Sequence, residues 1–143
     1  MLFLLNNHGV RYLIIGGLAF IYHAKPRYTK DIDIWVDPLP ENVKKVNKAL
    51  VEFGSPHLLT HNKPEEILQI GVEPDRIDIL QHLEGLTFSA AWKGRITDNY
   101  GDISVNWINL DNLIRVKELI DNPRHKEDVK ILREVKKLHQ QKE

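Results

Sequence analysis

The chain has 143 residues, with 20 Lys and Arg balancing 20 Asp and Glu, a hydrophobic share of 42% and no cysteine. Neutrality excludes a protein held to nucleic acid by bulk positive charge, although a local basic patch stays open. The missing cysteines exclude disulfides, thiol nucleophiles, zinc ribbons and iron–sulfur clusters, and fit a reducing, cytoplasmic setting.

No apolar run nears the ~20 residues a membrane helix needs. Met1-Leu2-Phe3-Leu4-Leu5 is apolar, lacks a basic flank and stops at Asn6-Asn7-His8. It reads as the end of a helix rather than a signal peptide, and its abruptness predicts a preceding turn outside this sequence. Arg11 to Ile15 is an apolar, β-branched run and reads as a strand, broken by Gly16-Gly17. Leu18 to Ala24 reads as a helix ended before Pro26. Asp31 to Val36 alternates polar and apolar, as a strand does. Pro40 suits the first turn of a helix whose Val43, Val46, Leu50 and Phe53 fall at helical spacing, with Gly54 as its stop.

Residues 55–66 read as loop. Ile67 to Val72 and Arg76 to Gln81 read as two strands across a Glu73-Pro74-Asp75 turn. Phe88 to Trp92 is a short helix and Ile103 to Ile108 a last strand. Asp111 is expected to cap a helix through Ile120, and Pro123 to open another through about Leu138. No repeat, low-complexity tract or long linker intervenes, so residues 1–143 are read as a single domain. Strands alternating with short helices predict an α+β (α/β) fold with a mixed sheet and flanking helices. The hairpin argues against a purely parallel, doubly wound sheet.

Asp31-Ile32-Asp33-Ile34 sets two acids on one face of a strand, roughly 6–7 Å apart. Arg76-Ile77-Asp78-Ile79-Leu80 offers a third acid on a later strand. If the strands are neighbours, three carboxylates converge. Two like charges ~6 Å apart repel by about 3 kcal/mol at an effective dielectric near 20. Three would strain a fold whose whole stability is on the order of 5–15 kcal/mol. Protons, arginines or metal ions must neutralise them, and an all-oxygen donor set selects a hard cation such as Mg²⁺. The plainer alternative is a solvated strand edge with Arg27, Lys30 and Arg76 as salt-bridge partners. Asp37, before Pro38, and Asp75 are assigned to turns.

Strand–Gly16-Gly17–helix is a candidate phosphate cradle, because glycine admits close backbone approach and a helix N-terminus offers free N–H groups. A simple turn is the alternative reading, and no Gly-Lys-Ser/Thr follows to make a P-loop. In combination with paired acids one short helix later, the turn suits chemistry on a triphosphate.

The spacing Gly16-Gly17, thirteen residues, Asp31-Ile32-Asp33-Ile34 resembles the signature of the nucleotidyltransferase superfamily related to DNA polymerase β. Arg76-Ile77-Asp78-Ile79-Leu80 matches where that family places its third acid. Tyr12-Leu13-Ile14-Ile15-Gly16-Gly17-Leu18-Ala19 and Arg27-Tyr28-Thr29-Lys30-Asp31-Ile32-Asp33 are similar to small prokaryotic members, including AbiEii-type nucleotidyltransferases of toxin–antitoxin systems. Gly71, Pro74-Asp75-Arg76, Lys117 and Arg124 to Asp128 also look like this group.

The resemblance implies that Gly16 and Gly17 hold triphosphate oxygens through backbone N–H groups. It implies that Asp31, Asp33 and Asp78 are catalytic and ligate two Mg²⁺ ions, with Mn²⁺ as a substitute. Asp78 would serve the catalytic ion and help deprotonate the acceptor hydroxyl, releasing pyrophosphate. Many members carry Gly-Ser, often with an arginine a few residues on, where this chain has Gly16-Gly17-Leu18-Ala19, so a serine hydroxyl that could touch phosphate is missing.

Arg27 and Lys30 are candidates for phosphate contact, or for simple charge balance with Asp31 and Asp33. Lys117 is a solvated helix lysine by default, and the resemblance raises it to a nucleotide contact. Asp128 is expected to pair with a basic residue such as Arg124. His57 and His61 are four apart beside prolines, which speaks against zinc. Trp35 and Trp107 are expected in the core, and Trp92 is a candidate base-stacking ring. From Ile114 to Glu143 there are nine Lys/Arg and six Asp/Glu, a net of 9 − 6 = +3, compatible with RNA contact.

Three functions compete at this point. One is an Mg²⁺-dependent nucleotidyltransferase acting from an NTP on an RNA end, a protein hydroxyl or a small molecule. Another is a weakly catalytic relative that serves a partner chain as an antitoxin or regulator. The third is a solvated-edge domain without metal. The intact set of acids favours the first. A chain this short leaves little room for a recognition module, so a partner chain or a homodimer is expected to complete the acceptor site.

Overall fold

A computed structural model describes residues 1–120 and 122–141. Six strands form one mixed sheet in the order β3-β4-β2-β1-β6-β5. They are β1 (Tyr12–Ile15), β2 (Asp31–Val36), β3 (Ile67–Ile70), β4 (Arg76–Leu80), β5 (Ile96–Tyr100) and β6 (Ile103–Trp107). The helices are α1 (Leu2–Asn7), α2 (Gly16–His23), α3 (Pro40–Phe53), α4 (Phe88–Lys93), α5 (Leu110–Glu118) and α6 (Pro123–Gln141). This is the mixed α+β architecture expected of a nucleotidyltransferase-like fold.

The sheet is built from three antiparallel pairs, β1–β2, β3–β4 and β5–β6, joined by two parallel pairs, β2–β4 and β1–β6. The parallel β2–β4 pair needs a long crossover, which α3 supplies. Pro40 does open α3, and Gly54 closes it at φ +92°, the left-handed conformation that glycine adopts without a Cβ penalty. Val43, Val46 and Leu50 are buried as their spacing predicts, each worth about 1.5–3 kcal/mol of transfer free energy. Phe53 is the exception, 42% exposed. Asn42, also on α3, is buried and donates to the carbonyls of Arg11 and Asp37, which ties the helix to the β1–β2 ends. Asp37 accepts from the Leu39 N–H, the turn role expected of it.

Several boundaries and one whole strand differ from expectation. β5 was not foreseen: Thr97, Asp98, Asn99 and Tyr100 are all exposed, so no hydrophobic alternation marks it. It is an edge strand held by β6 across the two-residue Gly101-Asp102 turn, with Gly101 at φ +63°. Gly16 and Gly17 do not precede the helix but form its first turn. Asn109, not Asp111, caps α5 by accepting from the Asn112 N–H. Asp111 lies in the first turn and pairs with Lys136 instead. Trp35 and Trp107 are buried in the core as expected.

Candidate active site

The strands carrying the acids are neighbours. In the β2–β4 register Asp33 faces Asp78 and Asp31 faces Arg76. Alternation then puts all four side chains on one face of the sheet. One carboxylate oxygen from each of Asp31, Asp33 and Asp78 can be chosen so that all lie within 4.8 Å of one another. Among the described residues this is the one cluster of His, Cys, Asp and Glu able to hold a metal ion. His57 and His61 are exposed on the loop and take no part.

Three acids so close need compensation, and Arg76 supplies part of it. Its Nη2 lies 2.7 Å from Asp31 Oδ2, its Nε 3.0 Å from Asp78 Oδ1 and its Nη1 3.5 Å from Glu73. Asp33 has no such partner. Its carboxyl is pushed up to about 7 by burial, then by the charges of Asp31 and Asp78, against the opposing pull of Arg76. The salt-bridged-edge reading is therefore right about Arg76, which still leaves the middle acid uncompensated.

The glycine turn abuts this cluster. Gly16 has φ +66°, and a Cβ built there would meet Asp33 Oδ2 at 2.2 Å. A Cβ on Gly17 would meet Thr29 Oγ1 at 2.7 Å. Gly16 thus requires a residue without a side chain, while a Cβ at Gly17 would force the Thr29 hydroxyl to turn away. Thr29 itself donates to the Asp31 carbonyl across 3.2 Å, holding the chain that enters β2.

A cleft of about 320 Å³ opens beside the acids, walled by Gly16, Gly17, Arg27, Lys30, Arg124 and Lys117. Arg27 reaches Asp128 at 2.6 Å and lies 4.0 Å over the Phe20 ring. Lys117 is only 3% exposed and reaches the other oxygen of Asp128 at 2.9 Å. Asp128 thus pairs with Arg27 and Lys117, not with Arg124. Burial pushes the Asp128 carboxyl up, but the hydrogen bonds from Arg27 and Lys117 outweigh it and hold it below its usual range. Burial lowers the Lys117 ammonium more than Asp128 restores it.

His125, which the sequence places within the Arg124 to Asp128 stretch without a role of its own, belongs here. It lines this cleft and a second cavity beyond the acids. Its Nδ1 is buried without a hydrogen-bond partner, and burial, then Lys117, lowers its proton affinity. The available signal was its position three residues before Asp128, on the same helix face. Trp92 is elsewhere: Arg95 lies 3.9 Å over its ring and Phe88 stacks beside it, so it offers no base platform at this site.

A solved structure, that of the lincosamide antibiotic adenylyltransferase LnuA with lincomycin bound, is similar to this chain. The TM-score is 0.62 at 21% identity, over 94% of this chain and 92% of that one. No protein-family model and no curated protein matches the chain. At this identity the likeness speaks of architecture, and the chain carries its three carboxylates and its glycine turn on the fold of a nucleotidyltransferase.

Proposed function

We propose that the protein is a divalent-metal-dependent nucleotidyltransferase, moving a nucleoside monophosphate from an NTP to an acceptor hydroxyl and releasing pyrophosphate. The observation that carries this reading is the convergence of Asp31, Asp33 and Asp78 against the Gly16-Gly17 turn. The adenylyltransferase fold supports it.

The donor set suits a hard cation: three carboxylates, all oxygen, with Asp33 lacking a cationic partner. Asp31, Asp33 and Asp78 would hold Mg²⁺, two ions by family resemblance, or Mn²⁺. When bound, the metal would offset charge on the triphosphate and on the attacking and leaving oxygens. The backbone N–H groups at the start of α2 are free of intrahelical partners and can meet phosphate oxygens, with no side chain at Gly16 or Gly17 to block approach. Arg27 and Lys117 line the same cleft and add positive charge there, held in place by Asp128. Asp78, on the far side of Asp33, takes the proton of the acceptor hydroxyl.

The resemblance of residues 12–19 and 27–33 to AbiEii-type proteins supports a setting in a toxin–antitoxin system and a cytoplasmic location, with an RNA end, a protein hydroxyl or a small molecule as the acceptor. No described helix is long and apolar enough to cross a membrane. A second reading, a weakly catalytic relative acting as an antitoxin or regulatory module, is favoured by the Arg76 fork, which already neutralises part of the acid cluster.

The test is incubation with each labelled NTP, Mg²⁺ and a cell extract. Transfer of label that disappears in Asp33→Ala supports the enzyme. Absence of label together with absence of divalent binding by calorimetry, NTP being present, supports the module.

A further inference from the structure

The row of the sheet that bears the acids runs Gln69, Asp78, Asp33, Ile15 across β3, β4, β2 and β1. Immediately beside it the same face turns apolar, with Ile67 opposite Leu80. A cavity of about 260 Å³ lies over this boundary, roofed by Leu113 and Val116 of α5 and closed by Leu83 and Ile120. It shares Gly16, Asp33, Lys117 and His125 with the cationic cleft, but only this second cavity is lined by Asp78. The two chambers therefore meet at the carboxylates, one cationic and one aliphatic.

We propose that the aliphatic chamber is the acceptor subsite, and that the acceptor is a small, uncharged, largely aliphatic molecule carrying a hydroxyl. This rests on the nucleotidyltransferase reading above. The acceptor oxygen bonds to the α-phosphorus, the bond from that phosphorus to the α–β bridging oxygen breaks, pyrophosphate leaves, and the hydroxyl proton passes to Asp78.

Wall chemistry selects this class. Among the described lining residues Lys117 is the one cation, and Asp128 already holds it. An RNA end brings phosphates that need free cations, and here they would meet Asp33 and Asp78 instead. No Phe, Tyr or Trp among those residues offers a face on which a base could stack. The size is just below the range of about 300–1,000 Å³ usual for small-molecule sites. Ile67 and Ile120 are 53% and 42% exposed, so an apolar occupant removes surface that the protein alone leaves wet. The exposed Gln69 amide, opposite Asp78, supplies a polar handle at the carboxylate end.

The experiment titrates the full chain with cyclohexanol and menthol as probes and, separately, with a short 3′-hydroxyl oligoribonucleotide, following Ile and Leu methyl signals by NMR. Saturable shifts are expected at Ile67, Leu80, Leu83 and Ile120 with an alcohol and not with RNA. Ile67→Arg and Ile120→Arg, both at exposed positions, should weaken alcohol binding by roughly tenfold or more, because each sets a charge against an apolar wall. In both variants ATP·Mg²⁺ binding, read by calorimetry, should match the parent. Shifts with RNA alone, or none with either alcohol, overturn the proposal while intact ATP·Mg²⁺ binding leaves the enzyme reading standing. Alcohol shifts without any nucleotide binding overturn the enzyme reading, and the acceptor role with it.

Discussion

Asp33 and Asp78 stand directly opposite one another across the parallel β2–β4 pair, and Arg76, on the strand of Asp78, turns its guanidinium toward Asp31 and Asp78 rather than toward Asp33. The middle acid is left with like charges on two sides and no cation of its own.

Metal should therefore stabilise the fold. Mg²⁺ or Mn²⁺ is expected to raise the melting temperature by several degrees, on a scale of about 3–5 °C per kcal/mol for a chain of this size. Asp33→Asn removes one repelling charge, so it should raise the metal-free melting temperature and shrink the metal-induced rise. Differential scanning calorimetry with and without the ion reads both effects; an unchanged rise in the variant would remove Asp33 from the ligand set.

The same residue predicts a pH dependence. Folding raises the Asp33 carboxyl from 3.8 to about 7, so the native state binds the proton more tightly than the unfolded chain. Its contribution to stability is complete below about pH 3.8 and is lost as pH rises through 7. Asp128 acts in the opposite sense but only in acid, its depressed carboxyl losing its contribution as pH falls below the usual carboxylate range. His23 and His125, both lowered by burial, act in the opposite sense up to the ordinary histidine value of 6.5, so the urea midpoint of the metal-free protein should fall most clearly from there to about pH 8. Asp33→Asn should flatten that slope.

Gly16→Ala should damage the site from the backbone side. The added Cβ needs the space of Asp33 Oδ2, and φ +66° is unfavourable for an L-residue by about 1–2 kcal/mol. The urea midpoint should fall and divalent affinity with it, since the carboxylate must move. Gly17→Val is expected to act on the triphosphate, because its branched side chain meets Thr29 and blocks close approach to the start of α2. Calorimetric titrations with Mg²⁺ alone and with ATP·Mg²⁺ separate the two.

Substitutions among the charged residues should rank in order. Asp31→Ala and Asp33→Ala should abolish both transfer and metal-dependent nucleotide binding. Asp78→Ala should abolish transfer yet spare most nucleotide binding, and full transfer in that variant would falsify its role. Arg27→Ala should cost roughly tenfold in nucleotide affinity, the scale of one charge-assisted contact worth about 1.5 kcal/mol. Lys117→Met should cost stability as well, up to about 3 kcal/mol, because it breaks a buried pair, with Arg27 still holding the other oxygen of Asp128.

The Asp31–Asp33 pair was legible because strand alternation leaves carboxylates two apart on one face, while the pairing of β2 with β4 that brings in Asp78 stood only as a condition, met by the structure. Gly16-Gly17 was legible as the passage from strand to helix because two glycines break the apolar run before them, whereas the pair alone left a simple turn and a phosphate cradle both open. The Arg27–Asp128 pair was not: it joins residues 101 positions apart, and helix spacing pointed Asp128 to Arg124 instead. β5 escaped because an edge strand with exposed faces carries no hydrophobic rhythm. His125 escaped because a histidine becomes informative only once its buried, unpartnered nitrogen is seen.

The strand order carries a last consequence. β2 and β4 are interior strands, with hydrogen-bonded neighbours on both sides, whereas β3 and β5 close the two ends of the sheet. Amide protons of residues 31–36 and 76–80 should then exchange with deuterium only through opening of the whole sheet, while those of β5 exchange through local fraying. The proposed metal site is thus anchored to the slowest-opening part of the molecule, and local fraying is left to the polar hairpin at the opposite end.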